Sequence, residues 1–322
     1  MKRMSKIAGI IIVSAITGAN LNAQTRNDVV TSYNEGAKTM QTDVKAAIEA
    51  FEKVVVLSDQ VGETAADLKQ KAVQVLPGLY VTLASNFLKE KKPAPETIKA
   101  AKKASAAAEK YGSATSKENA SRILVQGYYN LGTEFYTKKD YENALLTFDS
   151  LLVINPAYLN AIYNKALIFR SQNNATSFEE NIDIFIEKAK SGNDSVKVKQ
   201  ASKLALEYFR ASGSQANQAN KLDEAIVMLN KAAKYGDNKD LFYYFADVYN
   251  KQKNFSNGAE YANKGLTLET GDAEAKAKFY FQLGLAQEGK GQILEACASF
   301  KNSMYGAFAE PSKVQRTNLK CK

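Results

Sequence analysis

The clearest pattern in the chain is a helical period of apolar residues that begins near Val125. Apolar or small residues recur three or four positions apart, which places them on one face of an α-helix. A second run with the same period follows a short polar turn, and a proline closes it. The pattern predicts two antiparallel helices, with Tyr128, Leu131, Gly132 and Phe135 on the packed face of the first and Tyr141, Ala144, Phe148, Leu151 and then Pro156 in the second.

The same arrangement recurs along the chain. Further units begin near residues 159, 206, 239 and 277, so five units cover residues 125–310. Residues 24–124 predict divergent pairs of the same kind, and the first of these, with Gly36 ahead of Phe51, is one residue shorter than the others. Repetition at a fixed period indicates an array of about seven helix pairs, whereas an irregular helical bundle would show the period only by coincidence.

The order of aromatic, Leu-Gly, aromatic, Ala, Phe and Pro in the unit at residue 125 resembles the tetratricopeptide repeat. The resemblance implies an all-α fold, a right-handed superhelical solenoid in which helix A of each pair lines a concave groove. Gly132 and Ala144 are then expected where helices A and B of one pair approach closely, and Phe135 and Phe148 between neighbouring pairs. The prolines are expected between helices: Pro77, Pro93, Pro95, Pro156 and Pro311.

The resemblance also implies which side chains meet a partner, because fixed positions of helix A face the groove in this family. Tyrosine buries area at low entropic cost, and amides pair with a partner's backbone. The alternative is that tyrosine is simply common at these positions of the repeat. The predicted binding face, with side chains exposed enough that their loss hardly affects stability, consists of Tyr129, Tyr136, Tyr163, Arg170, Arg210, Tyr243, Asp247 and Asn250.

Composition argues against catalysis. The chain has no histidine, the commonest general base at neutral pH and the commonest transition-metal ligand. Gly289-Lys290-Gly291 has no preceding strand and reads as a turn, and Glu179, Glu180 and Asp183 are spaced for a solvated helix face. We therefore predict a protein that is not an enzyme and that has no cofactor and no metal site.

The chain has two cysteines, Cys297 and Cys321, too few for a structural zinc site without histidine. A disulfide between them would tie the polar C-terminal tail, residues 311–322, over the last helix pair. The tail is expected to be a short cap or a disordered end. Closing a loop of this length would contribute roughly 3 kcal/mol, provided that the geometry allows the bond.

The N-terminus has the pattern of a secretory signal. Lys2, Arg3 and Lys6 precede a short apolar segment, residues 7–16, and a small-residue stretch ends at Ala23. The segment is shorter than the roughly 20 residues that span a bilayer. Cleavage after Ala23 or Ala19, or retention as an anchor, are the alternatives. We expect residues 1–23 to be a signal peptide and the mature protein to be periplasmic or otherwise exported.

Export limits the partners that the chain can meet. Removal of residues 1–23 would leave a net charge of about +6, without the dense basic stripe that nucleic acid requires. The resemblance to exported Bacteroidota-type repeat proteins implies a non-enzymatic scaffold that binds a peptide or partner protein, for instance in an envelope assembly or secretion machine. The alternative is an accessory protein that binds a glycan or small ligand. Asp194-Ser195-Val196 also matches a short O-glycosylation acceptor of such bacteria.

The first testable prediction concerns the mature N-terminus. We expect protein purified from its native host to begin at or near Gln24, because the charged, apolar and small-residue segments follow the order that signal peptidase recognises. Intact-protein mass spectrometry measures this directly. A mass that retains residues 1–23 would contradict the prediction.

Overall fold

The computed structural model describes residues 25–322. The predicted signal segment and its cleavage site therefore lie outside the described residues. Within residues 25–322 every regular element is a helix and no β-strand occurs. The predicted all-α fold class is confirmed.

The chain forms two compact units, and the first ends at Leu131. Its core is built from apolar residues of the first three helices, among them Phe51 and Leu76. A short 3-10 turn, Glu63–Ala65, precedes the third helix. The helices of this part of the chain are α1 (Arg26–Thr39), α2 (Val44–Val61), α3 (Ala66–Lys89), α4 (Ala94–Lys110) and α5 (Ala114–Thr137), which continues into the second unit.

The second unit begins at Gly132, inside α5. Its largest core cluster runs through α7 to α11 and contains Phe178, Phe209 and Phe245, all fully buried. The further helices are α6 (Tyr141–Ile154), α7 (Leu159–Ser171), α8 (Ala175–Ser191), α9 (Ser195–Gln218), α10 (Leu222–Ala233), α11 (Lys239–Lys251), α12 (Phe255–Leu268), α13 (Ala273–Gly289), α14 (Ile293–Asn302) and α15 (Ala309–Asn318).

Consecutive helices pack in pairs, as the repeat pattern predicts. Each odd-numbered helix from α1 to α13 is helix A of a pair, and the even-numbered helix after it is helix B. Among the described residues this gives seven pairs, followed by α15. The fold is an array of tetratricopeptide-like helix pairs.

A glycine in helix A against a large side chain in helix B forms the recurrent contact within a pair. A Cβ atom built on Gly132 would lie 2.6 Å from Cε1 of Phe148, sixteen residues later in the chain. The same spacing joins Gly284 to Phe300. Helices A and B approach so closely here that a methyl group has no room. Phe148 was expected to fill space between neighbouring pairs, but its ring contacts Gly132 of its own pair.

The first pair uses the same contact with one residue fewer between its partners. A Cβ atom on Gly36 would lie 2.9 Å from Cε2 of Phe51, fifteen residues later. Phe51 is 1% exposed and also meets Tyr33 edge to face, with ring centroids 5.5 Å apart. The one-residue deletion inferred from sequence shortens the connection and preserves the contact.

The turn from helix A to helix B has a recurring structure. One residue adopts a positive φ, and the next caps helix B. Asn173, with φ 55°, precedes the cap Asn174, whose side chain accepts from Ser177 N, and Lys253, with φ 60°, precedes the cap Asn254. Asparagine tolerates the left-handed region, and Asx side chains satisfy free helix N–H groups. These short turns hold the two helices antiparallel.

Three helices A are longer than the repeat pattern predicts. α3, α5 and α9 each have 24 residues, whereas α7 has 13. The third unit of the array, predicted to start near residue 206, begins at Ser195, because Asp194 caps the helix through Lys197 N. Ser195 is exposed at this first helical position.

Pro77 contradicts the expectation that prolines separate the helices. It lies buried inside α3, where it removes one backbone donor, since proline has no N–H. Pro95 and Pro311 also lie inside helices, but in the first turns of α4 and α15, where N–H groups have no helical acceptor.

The C-terminal residues form a cap on the last pair. Cys297 and Cys321 are joined in a disulfide, with their Cα atoms 5.6 Å apart. Arg316 Nη1 donates to the carbonyl oxygen of Cys297 at 2.6 Å. Ser303 and Ser312, both buried, share a hydrogen bond of 2.7 Å. The polar tail is therefore tied to α14 along the helix α15.

The second prediction compares two glycines of the first unit. Gly36→Ala should lower the free energy of unfolding by about 1 kcal/mol, because overpacking against Phe51 outweighs the gain in helix propensity. Gly78→Ala should raise it by roughly 0.5–1 kcal/mol, because nothing lies within 4 Å of a Cβ atom there. Urea unfolding followed by circular dichroism measures both. Shifts of the same sign would contradict the proposed role of the Gly36–Phe51 contact.

Candidate partner-binding face

Helices A of the second unit provide a continuous polar surface. α9, α11 and α13 lie side by side, with α11 in contact with both others. We define the helix-A face by the polar side chains that these helices and α7 carry at the surface: Arg170, Arg210, Asp240, Asp247, Lys251 and Lys278. Asn217 and Gln282 are buried directly beneath it.

Asp240 of α11 links its two neighbours. Arg210 Nη1 of α9 donates to Asp240 Oδ2 at 2.8 Å, and Lys278 Nζ of α13 donates to Asp240 Oδ1 at 2.6 Å. The Arg210 and Lys278 side chains are only 25% and 26% exposed. Burial alone would raise the pKa of Asp240, but the Lys278 and Arg210 charges outweigh burial and hold that pKa below its ordinary value.

Two helical turns further along α11, Asp247 repeats this role with amide partners. Asn217 Nδ2 of α9 donates to Asp247 Oδ2 at 2.6 Å, and Gln282 Nε2 of α13 donates to Asp247 Oδ1 at 3.1 Å. Lys251 Nζ lies 2.9 Å from Asp247 Oδ2 and donates to Asn217 Oδ1 at 2.8 Å. The two carboxylates therefore fix the side chains of three neighbouring helices.

Asn250 belongs to the packing rather than to the surface. The residue is 8% exposed, and its Nδ2 donates to both the backbone oxygen and Oε1 of Gln282, each at 2.9 Å. Its Oδ1 has no hydrogen-bond partner and faces Gly258 of α12. A side chain buried in this way is not accessible to a partner, so the structure does not support Asn250 as a binding residue.

Tyr243 and Tyr163 are also more buried than the sequence suggests. Lys278 Nζ lies 5.6 Å from the ring centroid of Tyr243, and burial, with the nearby Asp247 charge, raises the pKa of Tyr243. The Tyr163 ring packs on Phe185 of α8, with centroids 5.0 Å apart. Together with the paired Arg210, these contacts mean that alanine at Tyr163 or Arg210 should cost stability, contrary to the expectation from sequence.

The remaining two tyrosines both lie on α5 but in different units. Tyr136, in the second unit, is half-buried with its ring centroid 6.1 Å from that of Tyr141. Tyr129 is half-buried in the first unit. Seven of the eight predicted residues therefore lie in the second unit, and Tyr129 lies in the first.

Arg170 differs from Arg210 in its surroundings. It is half-buried, and within residues 25–322 its side chain makes no hydrogen bond or ion pair. It borders a hollow of about 370 Å³ between α7 and α9. Tyr208, whose ring meets Phe178 edge to face with centroids 4.6 Å apart, lines the same hollow. The complete lining is Arg170, Asn173, Leu204, Glu207, Tyr208, Ala211, Ser212 and Gln215.

A second polar cluster, on helices B, corrects the interpretation of Glu179 and Asp183 as solvated. Lys231 Nζ lies 2.7 Å from Glu179 Oε2, and Lys234 Nζ lies 2.5 Å from Asp183 Oδ2. Tyr235 Oη donates to Asp183 Oδ1 at 2.9 Å. These bonds join α8 to the end of α10. Their partners lie about fifty residues apart, so helical spacing alone did not reveal them.

Two further properties concern the described part of the chain as a whole. Across residues 25–322, no group of three or more His, Cys, Asp or Glu side chains could hold a metal ion. None of the helices there is both long enough and apolar enough to cross a membrane.

The third prediction concerns Asp240. Asp240→Asn should lower the free energy of unfolding at pH 7 by about 1 kcal/mol, a modest value because the carboxylate is 38% exposed. Because the pKa of Asp240 is lowered in the folded state, its carboxylate stabilises the fold at pH values above the ordinary pKa of 3.8. This stabilisation is lost as the pH falls through the folded-state pKa. The difference in unfolding free energy between Asp240→Asn and the wild type should therefore shrink at pH values below the folded-state pKa.

Urea unfolding at pH 7 and in acid measures the effect. Asp149→Asn is the control, because Asp149 pairs with Lys165 but is 54% exposed, and its loss should cost less. A deficit for Asp240→Asn that is unchanged in acid would show that the ion pairs are not its cause.

Comparison with known proteins gives structural similarity only. No protein-family model matches the chain, and no curated protein matches it. The chain is similar to the crystal structure of MamA, with 20% identity, a TM-score of 0.32, and coverage of 58% of this chain and 97% of that one. It is similar to a tetratricopeptide repeat protein from Parabacteroides merdae, with 16% identity and a TM-score of 0.28. That match covers 89% of this chain and 98% of the other. It is also similar to yeast Tom70, with 15% identity and a TM-score of 0.30. That match covers 94% of this chain and 67% of Tom70.

Proposed function

We propose that the protein is a non-enzymatic scaffold that binds a peptide or partner protein on the helix-A face, with Arg170 as the anchor. The observation that carries the proposal is the contrast between the two arginines of that face. Arg210 is held by Asp240, whereas Arg170 borders a hollow and its side chain makes no hydrogen bond or ion pair in residues 25–322. A half-buried guanidinium with unused donors suits a carboxylate or a backbone carbonyl of a partner.

The ordered polar surface beside the hollow supports a macromolecular partner. Asp240 and Asp247 fix the side chains around them before any partner binds, so little side-chain entropy is lost on binding. The surface extends across several helices, and the hollow at its edge opens to solvent. Such a surface suits an extended segment better than a small molecule that must be enclosed.

The chemistry of the hollow indicates what that segment presents. Arg170 supplies positive charge, while Asn173 and Gln215 offer amide donors and acceptors. Glu207 lies at the same hollow, with Lys203 Nζ 3.8 Å from its Oε1. We propose that a carboxylate of the partner pairs with Arg170 and that the amides bind its adjacent backbone.

We further propose that the protein acts after export, as an adaptor in the periplasm and within an envelope assembly. The charged and apolar N-terminal pattern supports this location. The disulfide between Cys297 and Cys321 fits an oxidising compartment.

The fourth prediction tests Arg170 as the anchor. A photo-cross-linking amino acid at Ala211, which lines the hollow, should capture a partner in the envelope of the native host, whereas the same group at Val153, 84% exposed on α6, should not. Arg170→Ala should then weaken binding of that partner at least tenfold, or about 1.4 kcal/mol, because anchor arginines contribute strongly.

The melting temperature should stay nearly unchanged in Arg170→Ala, because the side chain has no hydrogen bond or ion pair within residues 25–322 to lose. Arg170→Lys should recover only part of the affinity, since lysine keeps the charge but not the planar donor geometry. Leu294→Ala, at 85% exposure on α14, is the control. Full affinity of Arg170→Ala for the captured partner would rule out this anchor.

A further inference from the structure

The first unit contains a hollow of a different character, between α4 and α5. Its volume is about 570 Å³, and its floor is formed by Ile98, Tyr128 and Leu131. Lysines border it, and no acidic residue lines it. The complete lining is Pro95, Ile98, Lys99, Lys102, Lys103, Ala106, Tyr128 and Leu131.

Close packing of α4 and α5 creates this floor. A Cβ atom on Gly127 would lie 2.9 Å from Cγ1 of Ile98, so the helices touch beside the hollow. Ala106, two turns after Ile98 on α4, is exposed at the rim of the hollow. Tyr128 and Leu131 are half-buried and present apolar surface to it.

The rim of the hollow is positively charged. Lys99, Lys102 and Lys103 are exposed, and within the described chain none of them pairs with a carboxylate. Lys102 Nζ lies 5.8 Å from the ring centroid of Tyr128, which places positive charge directly over the apolar floor.

The other flank of α4 is electrostatically different. Lys99 and Lys103 also border a second hollow, which holds Glu49, Glu52 and Glu96. Negative charge is therefore available on that flank, whereas the flank with Tyr128 has only cations around its apolar floor.

We propose that the α4–α5 hollow docks an acidic segment of a partner protein, with an apolar side chain on the floor and carboxylates at the lysines. Charge complementarity selects the occupant, because cations around an apolar floor favour carboxylates around an apolar anchor. A protein segment fits better than nucleic acid, since three lysines on one helix make no extended basic stripe and no arginine lines the hollow. The inference goes beyond the proposed function, which concerns the second unit.

The test uses the absence of tryptophan from the chain. Ala106→Trp places a single tryptophan at the exposed rim of the hollow, and Leu294→Trp places one on α14 as a control reporter. The protein is residues 24–322. The probe is a twelve-residue peptide with leucine and phenylalanine anchors flanked by glutamates. Matched peptides replace the glutamates with glutamine, or the two anchors with alanine.

The acidic peptide should change the tryptophan emission of Ala106→Trp but not that of Leu294→Trp. Glutamine in place of glutamate, or alanine in place of the anchors, should weaken binding at least about tenfold, and added salt should weaken it too. In the Ala106→Trp background, Lys99→Glu, Lys102→Glu and Lys103→Glu together should reduce affinity at least about tenfold.

A charge-matched control separates local from overall electrostatics. Lys253→Glu, Lys290→Glu and Lys301→Glu change the net charge equally at exposed positions of the second unit and should alter affinity less than twofold. Equal binding of the glutamic acid and glutamine peptides, or equal loss in both triple variants, would overturn the proposal.

Two other probes decide between classes of partner. Vesicles containing phosphatidylglycerol, or a single-stranded oligonucleotide, should bind more weakly than the acidic peptide. Tighter binding of either would overturn the proposal in favour of a membrane or a nucleic acid. Arg170→Ala should leave the response at Ala106→Trp unchanged, so this test and that of the helix-A face can fail separately.

Discussion

The contact between a glycine in helix A and a phenylalanine in helix B is the constraint on which three of the described helix pairs depend. At Gly132 and Phe148, and again at Gly284 and Phe300, the ring occupies the space that a Cβ atom would need. Interiors are packed closely enough that one added methyl group is felt. The contact therefore sets both the distance between the helices and their register along the axis.

Other pairs fill the same position differently. Leu229 takes the place of the ring opposite Gly213, with its Cδ2 atom 2.7 Å from where a Cβ atom would lie. In the α7–α8 pair Ala166 and Ile182, both fully buried, have the same sixteen-residue spacing. In these pairs a small residue of helix A and a larger apolar residue of helix B hold the two positions, although the residue types differ. This explains how the array can be regular while its sequence repeats are divergent.

The sequence predicted the pairs because their spacing is local, and it failed where partners are distant. Apolar period and the Gly132–Phe148 spacing were enough for seven pairs, since both lie within one unit. Helical position could not show that Arg210 is bound by Asp240 or that Asn250 is buried under Gln282, because these partners belong to the next helix A. Pro77 was misplaced for a related reason. The tetratricopeptide-like pattern covers only the second half of α3. The helix continues N-terminal to Pro77 without any repeat pattern that would have shown it, so the pattern predicts a proline between two helices.

The bond between Cys297 and Cys321 has a consequence for local unfolding. In a repeat array, a helix that packs against a neighbour on one side only opens most readily. α15 packs against α14, and Cys321, just beyond α15, is covalently attached to α14. Arg316 of α15 also donates to the backbone oxygen of Cys297 on α14 at 2.6 Å. Full separation of α15 from α14 therefore requires reduction of the bond, which couples the opening of this helix to the thiol chemistry of its surroundings.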